Sequence, residues 1–360
     1  MFSNIYKGKK VFITGHTGFK GSWLTIWLKK LGAEICGYSL DPNTEPSMFN
    51  ICNVGTNILD IRGDIRDAKS LEKIVTKFNP DIIFHLAAQP LVRLSYDNPK
   101  LTYETNVLGT LNLYEAARKS ENLKAIVTIT TDKCYENKEW PYGYRECDPM
   151  GGYDPYSSSK GCVEILTSSY RRSFFNKKGV LIASARAGNV IGGGDWALDR
   201  LIPDFIKKTV KDEEIIIRNP LATRPWQHVL EPLSGYLFLG QKLLEGKKDF
   251  GDGWNFGPND DDILSVENIL NECINIWGKG KYSLDKASNP HEAMLLKLDI
   301  SKAKINLKWK PVYDIKCAIE KTIEWYNNFY LNKYDMDEFT KSQILEYEKA
   351  ATLKKIEWSV

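Results

Sequence analysis

Three groups of residues combine types and spacings that could do chemistry. Tyr156 and Lys160 stand at i and i+4 in YSSSK, which on a helix puts them on one face, ~6 Å apart at Cβ. Bringing a Tyr from about 10 towards about 7 takes about 4 kcal/mol. A unit charge ~4 Å away at an effective dielectric of ~20 supplies about that much. Tyr156 is thus a candidate base and Lys160 its tuner, although a lone Tyr-x-x-x-Lys is weak evidence in a chain this rich in both residues. Second, the apolar run IVTIT leads into Thr131, Asp132 and Lys133, and open α/β sheets bind their ligands at the carboxyl ends of strands. A salt-bridged turn is the plainer alternative.

Third, TGHTGFKG spaces Gly15, Gly18 and Gly21 between an apolar run, Lys10–Thr14, and a helical pattern, Phe19–Leu31. Gly15 suits the sharp turn, Gly18 lets backbone approach a pyrophosphate, and Gly21 lets helix lie close on strand. The helix N-terminus then faces the phosphates with unpaired N–H groups. Dinucleotide binding follows. The acidic residue that usually holds the adenosine ribose belongs about 20 residues on, where Ser39 stands, with Asp41 two residues later. No Arg or Lys occurs from Ala33 to Ile61 to meet a 2′-phosphate, so NAD is favoured over NADP. Asp64 and Ile65, after the third strand, suit the adenine, and a solvated turn Asp is an equal reading.

The elements that must carry these groups alternate. Glu34–Ser39, Asp81–Leu86, Ala125–Thr130 and Val180–Ala185 read as strands, and Ala68–Phe78, Lys100–Lys119 and Pro155–Arg172 as helices. Strands without polar alternation argue a parallel sheet buried on both faces. The expected fold is therefore α/β, a Rossmann-type doubly wound parallel sheet. From GGGDW at 192–196 through RNPLATRPWQH at 218–228 the rhythm breaks. A dinucleotide-binding domain over 1–190, taking back a segment near 226–258, and a smaller α/β substrate domain over 191–360 is the simplest account. The segment from Asp337 reads as a charged surface helix.

Composition agrees. With 360 residues, 42% hydrophobic and 26% charged, the chain falls among globular proteins of one large or two fused domains. Lys+Arg 49 against Asp+Glu 46 leaves +3, too little to advertise nucleic acid as a partner. No apolar run reaches the ~18–20 residues of a membrane helix, and MFSNIYKGKK lacks a signal-peptide core, so no membrane partner and a cytoplasmic location are expected. The seven Cys contain no C-x-x-C pair, and His16, His85, His228 and His291 have no metal-pair spacing. No metal is expected.

Together TGHTGFKG, HLAAQ (85–89), NVLGT (106–110), TTDK (130–133), YSSSK and ARAGNVIGGGDW (185–196) resemble the extended short-chain dehydrogenases/reductases, and within them the nucleotide-sugar 4,6-dehydratases. TDKCYEN, GNVIGGGDWALDRLIPD and RPWQHVLEPLSGYL are most similar to the branch acting on CDP-glucose, where Asp-Lys replaces the Asp-Glu of the dTDP-glucose relatives. The likeness spans nearly the whole chain and thins after about Lys310.

The resemblance implies a cycle on CDP-glucose. Tyr156, assisted by Thr131, takes the proton of the sugar 4-hydroxyl as the C4 hydride passes to NAD. A neutral Lys133 removes the C5 proton, a protonated Asp132 gives one to the leaving 6-hydroxyl, and the hydride returns to C6. It also implies cofactor contacts from Thr17, Phe19, Leu86, Ala87, Ala88, Gln89 and Asn106 beside the residues above. Substrate contacts would come from Thr131, Asn189, Arg200 and Arg224, the two Arg on the diphosphate, with Gln89 and Arg93 as weaker candidates. Relatives pair the helices at 100–119 and 155–172 between subunits. A homodimer is therefore expected, with a tetramer as the larger alternative. A 4-epimerase or ketoreductase would share the glycines and Tyr156–Lys160 without needing Asp132–Lys133, and a non-catalytic NAD-sensing protein would normally have lost the Tyr or the Lys.

Overall fold

Apolar side chains fill both faces of each central strand, so the strands pair in parallel with cover on either side. The computed structural model describes residues 1–217, 219–262, 264–285 and 295–360. Arg218 and His291 lie outside the described residues. Strands β1 (Lys10–Thr14), β2 (Glu34–Ser39), β3 (Leu59–Arg62), β4 (Ile82–His85), β5 (Ala125–Ile129) and β6 (Leu181–Ala187) join the strand Gly253–Phe256 in one sheet. From one edge the order is Gly253–Phe256, β6, β5, β4, β1, β2, β3. Every pairing is parallel. The expected doubly wound sheet is what forms, and the chain changes direction between β1 and β4. That point is where a crevice opens at the strands' carboxyl ends.

Alternation within the strands divides the core. Val11, Ile13, Ile82 and Phe84 face a layer with Trp23, Trp27, Leu233 and Leu237, whereas Phe12, Ile83 and Ile126 face Leu71, Val75, Leu113 and Tyr114. Helix α1 (Phe19–Lys30) and the helix Leu230–Leu244 thus cover one face, and helices Ala68–Phe78 and Gly109–Lys119 the other.

Two expectations need correction. The stretch 100–119 is not one α-helix, because a π-turn at Glu104–Leu108 interrupts it. The segment from Asp337 is not merely a surface helix. Helix Met336–Leu353 buries Ile344, Tyr347 and Ala351. Tyr347 donates its hydroxyl to Glu231 Oε2 at 2.8 Å, and Trp27 Nε1 donates to Glu348 Oε1 at 2.9 Å. These two partners, Glu231 and Trp27, lie more than a hundred positions earlier, so the helix's charged composition gave no sign of them.

Above the sheet's carboxyl end, Val190–Ile191 pairs with Gln227–His228, Thr223–Arg224 with Leu264–Ser265, and Ile215–Ile217 with Tyr282–Leu284. Gly193 seats this region: a Cβ there would lie 1.9 Å from the Trp325 ring.

Candidate functional site

A cleft of about 830 Å³ runs across the carboxyl ends of the central strands. Its first wall is the glycine turn. Gly15 has φ +77°, and a Cβ on it would come within 2.8 Å of the Ala87 nitrogen. A Cβ on Gly21 would sit 2.1 Å from the Gly15 carbonyl oxygen, so only glycine lets α1 start this close to the turn. Gly18 caps α1 with no side-chain hydrogen bond, and a Cβ there would meet nothing nearer than 3.4 Å. Free N–H groups of the first turn, an open approach and a helix dipole fit a dinucleotide pyrophosphate. Thr17 donates to the Leu40 carbonyl at 2.9 Å and lies 2.7 Å from Ser39 Oγ. Phe19, Ser39, Asp64, Ile65, Leu86, Ala87 and Ala88 also line the cleft. The Asp64 carboxylate is held below its usual range by hydrogen bonds from Arg66.

Two residues expected at the cofactor have their amides committed. Asn106 is buried, and its amide accepts from Gln89 N at 2.7 Å and donates to Ser159 Oγ at 2.8 Å. It is absent from the residues lining the cleft; it ties the loop after β4 to the Tyr156 helix. Gln89 lines the cleft, but its side chain donates to Leu91 O and Thr102 Oγ1 and accepts from Leu91 N. Both orient the wall.

The second wall is the helix Pro155–Tyr170. Asp154 caps it, accepting from Ser157 N at 2.9 Å, and Pro155 takes the first position. Tyr156 and Lys160 face the cleft, and Lys160 Nζ donates to the Ile129 carbonyl at 3.2 Å. Burial pushes the Lys160 ammonium down to about 8, with Glu164 pulling it back. The Tyr156 phenol is not lowered. Burial drives it up to about 12, against a hydrogen bond with Thr131 and the charge of Arg200. Burial thus outweighs the neighbouring charge, because enclosing a phenolate in the cleft wall disfavours its charged form.

At the end of β5, Thr131 Oγ1 donates to Asp132 Oδ1 at 3.0 Å. Asp132 is 1% exposed, and its Oδ2 is buried without a hydrogen-bond partner. Lys133 is partly exposed on the cleft wall. The described ion pairs contain no Asp132–Lys133 bridge, so the turn is not held by the salt bridge considered as the alternative.

Opposite lie the substrate candidates Asn189, Arg200, Arg224 and Arg93, all lining the cleft. Arg200 NH1 pairs with Asp195 Oδ2 at 2.7 Å, and Arg93 NH1 lies 3.4 Å from Asp199 Oδ1. Arg224 is buried and donates to the Thr223 carbonyl at 2.9 Å.

Sequence reasoning missed two cations. Lys20 lines the cleft inside the glycine turn, where burial, Arg200 and Lys160 push its ammonium down to about 7. Arg62 ends β3 directly beside Ser39, one residue past the Ala33–Ile61 stretch that holds no Arg or Lys. Lys20 was legible as a cation in the motif; Arg62 required the β2–β3 register. Among the described residues no group of three or more His, Cys, Asp or Glu is arranged to hold a metal ion.

The family described as GDP-mannose 4,6 dehydratase matches residues 12–322. A CDP-glucose 4,6-dehydratase of Salmonella typhimurium is 50% identical over 355 residues, 97% of this chain and 99% of that protein. A dTDP-D-glucose 4,6-dehydratase of Dictyostelium discoideum is 28% identical, across 89% of this chain and 82% of its own. A Streptomyces venezuelae dTDP-glucose 4,6-dehydratase solved with NAD superimposes with TM-score 0.75 at 20% identity, over 90% of this chain and all of that one, a likeness of fold. Matched over most of its length, with a relative half identical from end to end, the chain belongs to the GDP-mannose 4,6 dehydratase family.

Proposed function

We propose that the protein converts CDP-D-glucose to CDP-4-keto-6-deoxy-D-glucose and water, with NAD as resident cofactor. The observation that carries this reading is that Thr131, Asp132 and Lys133 share one cleft with Tyr156 and Lys160. A plain 4-epimerase or ketoreductase has no task for the added acid and base. The choice of CDP-glucose is supported by the half-identical relative of that name.

A nicotinamide dinucleotide, which the turn at Gly15 and Gly18 and the first N–H groups of α1 would hold, would supply a reversible hydride acceptor for the sugar and a positively charged ring. Tyr156 takes the 4-hydroxyl proton, with Thr131 hydrogen-bonding the phenol. Since burial holds the phenol high, positive charge near its oxygen is what makes this removal feasible near neutrality, and Lys160 and Arg200 contribute to it. The 4-ketone acidifies C5–H; Lys133 accepts that proton and gives one back to C5 once C6 is reduced, and the proton held by Tyr156 leaves through solvent as Asp132 is reprotonated. Asp132 protonates the departing 6-hydroxyl, which leaves as water. Its buried, unpartnered Oδ2 is suited to that exchange. Arg200 and Arg224 hold the diphosphate, Asn189 the sugar side of the cleft, and Arg93 is a weaker contact.

We also read the protein as a homodimer built on the helices at 99–119 and 155–170, where Leu108 and Ile165 are exposed. The seven cysteines are free, consistent with work in the reducing cytoplasm. No helix among the described residues is long and apolar enough to cross a membrane. Incubation with CDP-glucose and, separately, with other nucleotide glucoses, followed by NMR of the products, tests the reading. A 4-keto-6-deoxy product from CDP-glucose is expected. An epimer, or preferential turnover of another nucleotide sugar, overturns it.

A further inference from the structure

One turn beyond Lys160, on the same face of its helix, lies Glu164, a carboxylate the proposed reaction does not use. Its side chain is 4% exposed and its partners come from two strands. Thr130 Oγ1, at the end of β5, donates to Oε1, while Ser184 Oγ at 2.6 Å and Arg186 NH2 at 2.8 Å, both from β6, donate to Oε2. Arg186 NH1 donates to Tyr135 OH at 2.6 Å, and Tyr135 OH donates to Asn255 Oδ1 at 2.8 Å on the sheet's edge strand.

A buried ion pair is weak as a stabilising device, because desolvating two charges offsets what their attraction returns. What distinguishes this one is its neighbour. The groups acting on Lys160 are Glu164 from its own helix and the Cys134 thiol from the turn after β5. Lys20 from α1 and His85 from β4 also feel its charge. Glu164 is the carboxylate in that set, and the Arg186 guanidinium with two hydroxyl donors, Thr130 and Ser184, holds it ionised against its burial. The same carboxylate fastens Thr130, adjacent to Thr131, onto the helix that carries Tyr156.

We propose that Glu164 is a positioning residue: its carboxylate, pinned one helical turn from Lys160, fixes a negative charge beside that ammonium and locks the strand end bearing Thr131 to the helix bearing Tyr156. The relation rests on the reading of Tyr156 and Lys160 given above, but the charge of Lys160 can be measured without turnover.

The test compares wild type with Glu164→Gln and with the double variant Glu164→Gln/Arg186→Met, which leaves no orphaned guanidinium. Competitive acetylation across pH, with Lys160 followed by peptide mass mapping, reads its ionisation directly. The alkaline limb of kcat with CDP-glucose and saturating NAD reads the consequence. The Lys160 midpoint should fall by about one pH unit in the folded variants, with the alkaline limb of kcat moving the same way. Thermal unfolding of the double variant should stay near wild type. An unmoved midpoint overturns the proposal. So does a double variant that cannot fold, since the pair is then structural. If wild type leaves CDP-glucose unconverted at every pH, the functional reading fails while the acetylation midpoint still decides the role of Glu164.

Discussion

Arg62 donates its Nε–H to Asp41 Oδ1 at 2.9 Å, holding a guanidinium beside the end of β2 where a dinucleotide's adenosine ribose would lie. Arg62 also pairs with Asp60 and lies over the Phe49 ring. The cation that could greet a 2′-phosphate is thus already engaged by two carboxylates. NAD should bind more tightly than NADP, as measured by titrating both. In Asp41→Ala the ratio should shift towards NADP by about fivefold or more, since an Arg–phosphate contact is charge-assisted. Tighter NADP binding by wild type would refute the cofactor assignment.

The hydride and proton steps should separate by mutation. Tyr156→Phe should abolish 4-oxidation, leaving no reduced cofactor and no solvent exchange at C5. Lys133→Ala should still oxidise C4, while C5 deuterium incorporation in heavy water falls by ~10²–10⁴, the usual cost of losing a positioned base. Normal turnover and exchange in Lys133→Ala would assign the base elsewhere.

Glu231 makes stability depend on pH. Burial raises its carboxyl to about 7, although Val312 N, Tyr313 N and Tyr347 OH all donate to it. The folded state therefore keeps a proton that the unfolded chain releases near the ordinary glutamate value of 4.5. The stabilisation from that proton, up to about 3 kcal/mol, is fully present below pH 4.5 and is lost as pH rises through about 7. The Tm of wild type relative to Glu231→Gln should fall between pH 5 and pH 8. A constant difference would show that the carboxyl does not titrate in this window.

Ile165 is 61% exposed on the helix that carries Tyr156. If this face pairs two copies, Ile165→Asp should convert a dimer to a monomer in light scattering at micromolar concentration, without lowering the melting temperature of the monomer fold. Wild type that scatters as a monomer would remove the assembly.

The strand-turn-helix around Gly15, Gly18 and Gly21, the parallel alternation and the Tyr156–Lys160 face were legible in the sequence, because each is local: a glycine requirement, a hydrophobic period, an i,i+4 spacing. Local rules say nothing of what surrounds a side chain. Tyr156 was expected to be lowered by its Lys, yet its burial, assembled from several elements, raises it. Gln89 and Asn106 were expected at the cofactor from the resemblance carried by HLAAQ and NVLGT, and it is the packing of the loop after β4 against the Tyr156 helix that commits their side-chain amides. Arg62 came to Ser39 through strand register, Glu164 to Thr130, Ser184 and Arg186 through the β5–β6 pairing, and the last helix to Glu231 through contacts spanning more than a hundred residues. Spacing along the chain determined which groups could act; desolvation and long-range pairing, which exist only once the sheet is formed, decided their charge and their partners.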